Sequence, residues 1–163
     1  MSQTIYLYGD NIGKVEYVEH MGSDLSVVNS ARVSFGKHKQ LLDEKDEKLI
    51  SYLIKHRHTS TLEHCLVTFR FKVPLYVRSQ HHRHRTWSYN EISRRYTDFN
   101  LEFYTPGSYR TQHDSNRQAS NINESINPVL AGGAQCASLV ANHHEASLNL
   151  FNMMIEAGVC REQ

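Results

Sequence analysis

Cysteine, proline and tryptophan are scarce in this chain, at three, three and one residues out of 163. Cys65, Cys136 and Cys160 stand far apart, with no pair at CxxC spacing. An odd, dispersed set excludes a disulfide framework and a zinc knuckle, and it reads as small buried side chains. No apolar run approaches the roughly 18 residues that a membrane-spanning helix needs. Net charge is nearly absent too, with 18 basic against 17 acidic residues. A protein that binds polyanions through bulk charge would be far more basic. Residues 1–11 have neither a basic start nor an apolar core, so no signal peptide is expected and the cytosol is the expected compartment. There is no GxSxG elbow, no Walker loop, no glycine pattern of a dinucleotide fold and no internal repeat.

What is present is polar and unevenly placed. Hydrophobic residues make up 39% and charged residues 21%, a globular rather than a disordered balance. The length predicts about one domain that buries roughly 70% of its unfolded surface. Of eleven histidines, six lie between His56 and His84. After Lys72 there is no lysine, whereas eight arginines follow it. Arginine is the permanently charged planar fork suited to phosphates and carboxylates.

Periodicity places the elements. Residues 5–8 and 14–18 are β-prone. Ser23 or Asp24 is positioned to cap a helix carrying Leu25, Val28 and Ala31, which Gly36 stops. The charged stretch 37–48 reads as a solvated loop entering a second helix. Asp43 is the expected N-cap there, with Leu49, Ile50, Leu53 and Ile54 on one face. Residues 65–73 alternate as a strand, with Val67, Phe69, Phe71 and Val73 on one side. Pro74 is expected to open a short helix running to about Arg83. Residues 85–95 read as a loop with short helical turns, and residues 101–104 as a short strand. Residues 106–135 read as an exposed polar insertion with a short helical turn. Residues 136–158 are the strongest helix, with Cys136, Leu139, Val140, His143, Leu150, Met154 and Ala157 near one stripe.

The chemistry concentrates in residues 78–96, which hold five arginines and three histidines against one acid, Glu91. In a cleft, these forks bind a phosphate or diphosphate bidentately. Trp87, Tyr89 and Tyr96 offer planar faces for a base or ring. Glu91 is the acceptor for donors from a base, a ribose or an arginine. A solvated basic face and an RNA-binding loop have the same composition, so both readings stay open at this point. A metal site is not expected: adjacent histidines on a helix point apart, and no carboxylate lies at ligand spacing. A second cluster, His56, His58 and His64 with Glu63, is either an acid–base group or the anchor of a strand. Cys65 is no nucleophile of a His64 pair, because neighbours on a strand face opposite ways.

Arg83-His84-Arg85, then seven residues, then Ser93, with Arg95-Tyr96 behind, resembles the signature of the flavin-dependent thymidylate synthases. Residues 21–25 and 31–35, residues 55–58 with Leu62-Glu63-His64, residues 101–104 and residues 156–159 are similar to that family in the same order. Only residues 107–135 fall outside the resemblance. It implies an α+β fold, with helices packed around an antiparallel β-sheet, in a single domain over residues 1–163. It also implies reductive methylation of dUMP to dTMP. Methylenetetrahydrofolate would give the carbon, and FAD reduced by NADPH the hydride, with no cysteine attacking the uracil. The implied assembly is a homotetramer with active sites between subunits. No metal, membrane or nucleic acid partner is implied.

Position by position, the resemblance assigns FAD contacts to Ser60, Arg83, His84, Arg85 and Glu91. It assigns dUMP contacts to Gln80, Arg83, Glu91, Ser93, Arg94 and Arg95. His58 matches a histidine on the flavin and folate side, and Ser93 positions the reacting base rather than attacking it. This chain departs from the pattern at Ser60, where threonine is usual, and at Arg94, where a small residue is common. It departs again at His81 and His82, which replace aromatic or apolar residues. Family chains continue beyond the element that residues 158–162 resemble, carrying further nucleotide and flavin contacts. The resemblance therefore implies a C-terminally incomplete domain whose helix at residues 136–158 leaves an apolar face uncovered. The alternative function is a truncated, catalytically impaired homologue that binds flavin or nucleotide.

Overall fold

β-branched and aromatic residues at alternate positions build the first sheet. The computed structural model describes residues 3–163. Strand β1 (Thr4–Tyr6) pairs antiparallel with β2 (Lys14–Met21), and β2 pairs antiparallel with β3 (Leu66–Lys72). Tyr17 sits opposite Phe69 with rings 6.4 Å apart, and Phe71 follows on the same face. The second strand runs three residues further than its 14–18 pattern, because a bulge between Tyr17 and Glu19 shifts the register and pairing resumes to Met21↔Leu66. β1 ends at Tyr6, short of residue 8, because Tyr8 takes a left-handed turn conformation (φ 60°).

Gly22 (φ +86°) turns the chain from β2 into helix α1 (Asp24–Arg32). Ser23 begins it, its N–H donating to Ser26 Oγ at 3.1 Å. A short 3₁₀ turn and left-handed Gly36 end it. Helix α2 (Glu44–Lys55) starts on Asp43, whose carboxylate accepts from the Lys45 and Asp46 N–H groups while its own N–H donates to Asp46 Oδ2 at 3.0 Å. This reciprocal cap satisfies donors that a helix start otherwise leaves unpaired.

α1 and α2 hold the small core: Val27, Val28 and Leu53 are the buried apolar residues among those described. Asp46 is buried beside them. Its carboxylate accepts from Arg32 Nη2 at 2.5 Å and from the Lys39 ammonium. The Lys39 hydrogen bond, followed by that of Arg32, outweighs burial and holds the Asp46 carboxyl well below the usual range.

The chain divides into two units after Val77. Helix α3 (Leu75–His81) runs across that division, and the second unit continues with β4 (Tyr109–Gln112), β5 (Ser120–Ile126) and α4 (Cys136–Glu156). The polar stretch expected to hold a helical turn instead forms the β4–β5 hairpin, paired Tyr109↔Ile126 and Gln112↔Ser120. Its side chains reward that pairing across the strands: Thr111 donates to Glu124 at 2.7 Å, and Asn121 donates to Thr111 at 2.9 Å.

The expected strand at 101–104 is irregular, since β4 and β5 pair only with each other. Side chains anchor this segment to α4: Phe103 stacks on His144 with centroids 4.7 Å apart, and the Thr105 hydroxyl lies 3.0 Å from His144 Nδ1.

Few apolar side chains are fully buried among the described residues. Phe35, at 77% exposed, and Leu41, at 80%, face solvent. Leu139, Leu150 and Met153 of α4 are exposed as well. The α+β class holds, with helices and antiparallel sheets in both units. No helix among the described residues is long and apolar enough to cross a membrane.

Candidate functional site

The site candidates divide between the two units. In the first, α2 ends at Lys55, and its last turn brings aromatic rings together. Tyr52 packs on His56 at 4.2 Å and lies nearly parallel to His58 at 6.0 Å. Arg57 adopts φ 57°, which reverses the chain between the two histidines. The His58 carbonyl accepts from Thr61 Oγ1 at 3.0 Å, fixing the 3₁₀ turn Thr59–Thr61 that exposes Ser60. His58 and Ser60 are thus held by backbone, with exposed side chains.

In the second unit, α3 ends at His81 and the chain folds back on the helix end. The Tyr89 hydroxyl reaches the carbonyls of His81 (3.0 Å) and His84 (2.7 Å). Trp87 meets His81 edge-on at 4.4 Å and lies over His84 at 5.9 Å, and Tyr89 packs on His82 at 4.1 Å. His81 and His82 therefore both pack as rings against this loop.

The five arginines of this segment fall into two groups. Arg78 donates to both carboxylate oxygens of Glu91 through Nε and Nη2 on one guanidinium edge, with Nε 2.6 Å from Oε2. Arg94 donates to the carbonyls of Phe99 (2.8 Å) and Asn100 (3.3 Å), closing the loop after Ser93. Arg95 pairs with Glu162 and lies 5.8 Å from the centre of the Tyr96 ring. Nearby, Arg161 binds Asp98 at 3.2 Å and holds that carboxyl below its ordinary value. Arg83 and Arg85, by contrast, are exposed and have no side-chain hydrogen bond or ion pair among the described residues. Gln80 is exposed on α3, and Ser93 Oγ accepts from the Arg95 N–H at 3.3 Å.

Glu91 was legible as an acceptor for an arginine, but not which arginine it would hold, and Glu162 was not legible as a partner at all. Arg78–Glu91 spans 13 residues and Arg95–Glu162 spans 67, separations that carry no periodic signal. Tyr89 was legible only as a stacking ring, not as a hydroxyl that clamps two carbonyls. Among the described residues no cluster of histidine, cysteine and carboxylates forms a metal centre.

A family profile described as thymidylate synthase complementing protein matches residues 16–163. The chain belongs to that family. It is 38% identical over 157 residues to a flavin-dependent thymidylate synthase of Wolbachia pipientis and 39% identical over 150 residues to one of Thermus thermophilus. Each match covers 92% of this chain, but only 52% and 53% of the relative. A third, from Thermotoga neapolitana, is 50% identical over 95 residues, covering 58% of this chain and 43% of that protein. The chain thus spans about half the length of these curated relatives. Among solved structures, the UMP/dUMP methylase PolB from Streptomyces cacaoi, bound with 5-Br dUMP, superimposes with a TM-score of 0.72 at 26% identity. That match covers 99% of this chain and 66% of PolB.

Proposed function

We propose that this chain serves in flavin-dependent thymidylate synthesis, the reductive methylation of dUMP to dTMP. Methylenetetrahydrofolate is the carbon donor in this reading, and NADPH reduces the flavin. The observation that carries it is the partition of the arginines within the family signature. Arg78, Arg94 and Arg95 are committed internally, and Arg83 and Arg85 alone of the five present uncommitted forks. Two free guanidinium groups, on a segment whose imidazole and indole rings pack together, suit the diphosphate and ring system of FAD.

When bound, FAD would supply the hydride. The protein's own residues bind and orient. Arg83 and Arg85 would neutralise the diphosphate, with His84 between them, and Ser60 and His58 would meet the flavin and folate side. Arg95, Gln80 and Ser93 would hold dUMP, the arginine as a bidentate donor to the phosphate and Ser93 as a hydrogen-bonding group for the base. Glu91 would accept from the ligands after exchanging its Arg78 partner, and Arg94 would support the pocket by holding the backbone at Phe99 and Asn100. No cysteine is asked to attack the base. Cys65 lies 3.7 Å from the Ser23 carbonyl oxygen at the start of α1, where it packs rather than reacts.

Residues 1–163 would act as one family domain with the hairpin segment 107–135 inserted. It would work in the cytosol, in a homotetramer whose subunits share sites. The second reading is flavin or nucleotide binding without turnover. Tritium release from 5-labelled dUMP, with methylenetetrahydrofolate, FAD and NADPH present, separates the two. Release supports the enzyme reading. Retained oxidised-flavin absorption after removal of excess FAD, without release, supports the binding reading. A colourless protein that neither releases tritium nor retains dUMP in equilibrium dialysis overturns both.

A further inference from the structure

We propose that Tyr89 is a positioning residue for the Arg83 and Arg85 forks. This rests on the reading that those forks hold an anionic ligand. A helix leaves its last carbonyls without intrahelical partners. Here the chain past α3 makes two tight turns, Arg83 N–H to the Gln80 carbonyl and His84 N–H to the His81 carbonyl, each 3.1 Å. The His81 and His84 carbonyls flank Arg83, and the single Tyr89 hydroxyl sits against both, at 3.0 and 2.7 Å.

The Tyr89 ring is half-buried and packs against His82, His81 and Trp87, and its hydroxyl reaches past them to the two carbonyls. It therefore ties the returning loop to the helix end at the two points between which the forks leave the backbone. Arg83 lies between the clamped carbonyls, and Arg85 immediately follows the second. Neither arginine has an internal acid to aim it, so backbone direction is what sets where its guanidinium points. Arg78, Arg94 and Arg95 are aimed by their own partners and do not need the clamp. The ring of Tyr89 alone would fill the space, and the hydroxyl is what fixes the turn.

The test is Tyr89→Phe, which keeps the ring and removes the hydroxyl. Amide hydrogen exchange needs no ligand. Exchange at Arg83 and His84, whose N–H groups close the two turns, is expected to speed up roughly fivefold, the worth of one net hydrogen bond, with the α4 amides unchanged. FAD affinity is then measured by flavin fluorescence in the wild type, Y89F, R83A and the double variant. Y89F is expected to weaken FAD on the order of tenfold. The double variant should lose less than the two single losses combined, because Tyr89 acts through Arg83. Unchanged exchange in Y89F overturns the clamp whatever the ligand does. Faster exchange with FAD losses that add independently overturns the positioning role and leaves a purely local packing one. A wild type that binds no FAD while exchange responds as expected overturns the anion-site reading, and the positioning role falls with it.

Discussion

Alanine at Gly22 is a sharp probe of how the first unit is assembled, because two separable penalties meet there. The residue adopts φ +86°, a backbone region that disfavours any side chain by about 1–2 kcal/mol. A Cβ would also lie 2.7 Å from Cys65 Sγ, 3.0 Å from the His64 carbonyl oxygen and 3.1 Å from Cys65 Cα. Two of these neighbours are backbone and cannot swing aside. Overpacking of this kind costs about 1–3 kcal/mol, so Gly22→Ala should destabilise by roughly 2–5 kcal/mol in all.

Gly36 supplies the control. It has φ +63° but open space where its Cβ would go, so Gly36→Ala should lose only the backbone part, about 1–2 kcal/mol. The gain from a stiffer unfolded chain is common to both variants and cancels in their difference. Urea denaturation of the two variants and the wild type reads that difference as a shift in midpoint at constant slope. Adding Cys65→Ala to Gly22→Ala should recover part of the loss, since it removes the nearest atom but not the His64 carbonyl. Equal losses at Gly22 and Gly36, or no recovery with Cys65→Ala, would refute the close approach of the β2–α1 turn to the start of β3.

Other substitutions test separate parts of the argument. Leu53→Ala should destabilise by about 2–5 kcal/mol, because Leu53 is one of few buried apolar side chains and little remains to collapse on the void; thermal unfolding measures it. Asp46 has a carboxyl depressed below the ordinary value of 3.8, so its contribution is fully present above that value and is lost as pH falls through the folded one. Asp46→Asn should therefore be less stable near neutrality, and the gap from the wild type should narrow as denaturation is repeated below pH 3.8; a constant gap would refute the linkage. Arg95→Lys keeps the charge but loses the planar fork, so it should weaken dUMP on the order of tenfold and FAD much less; equal loss of both would count against its assigned role.

Local elements were legible wherever one residue type has one physical use. Asp43 was readable as a cap, and the alternation Val67, Phe69, Phe71 as a strand face, because capping and pleating act over a few residues. The bulge at Tyr17 and the irregular path of residues 101–104 were not, since each depends on which strand is available as a neighbour. The β4–β5 hairpin was hidden by its composition. Polar residues such as Thr111, Asn121 and Glu124 signal a loop in a sequence, yet across a two-stranded ladder they hydrogen-bond to one another. The signature Arg83 to Ser93 was legible as a pattern, but the sequence had no means of ranking its arginines.

That ranking changes what the arginines of the segment mean. A run of five forks reads as one basic patch, and a patch attracts any anion. The ion pairs dissolve the patch. Glu91 and Glu162 neutralise Arg78 and Arg95, and Arg94 spends its donors on two carbonyls. A ligand phosphate meeting Arg95 must therefore exchange with a carboxylate, giving up one charge-assisted contact to gain another, whereas one meeting Arg83 or Arg85 displaces only water. Anion binding should begin at Arg83 and Arg85 for that reason, and recognition at Arg95 should be the more selective step, since only a ligand that outcompetes Glu162 engages it. The near-neutral charge of the chain and the internal pairing of its arginines thus point the same way, towards a small ligand read fork by fork.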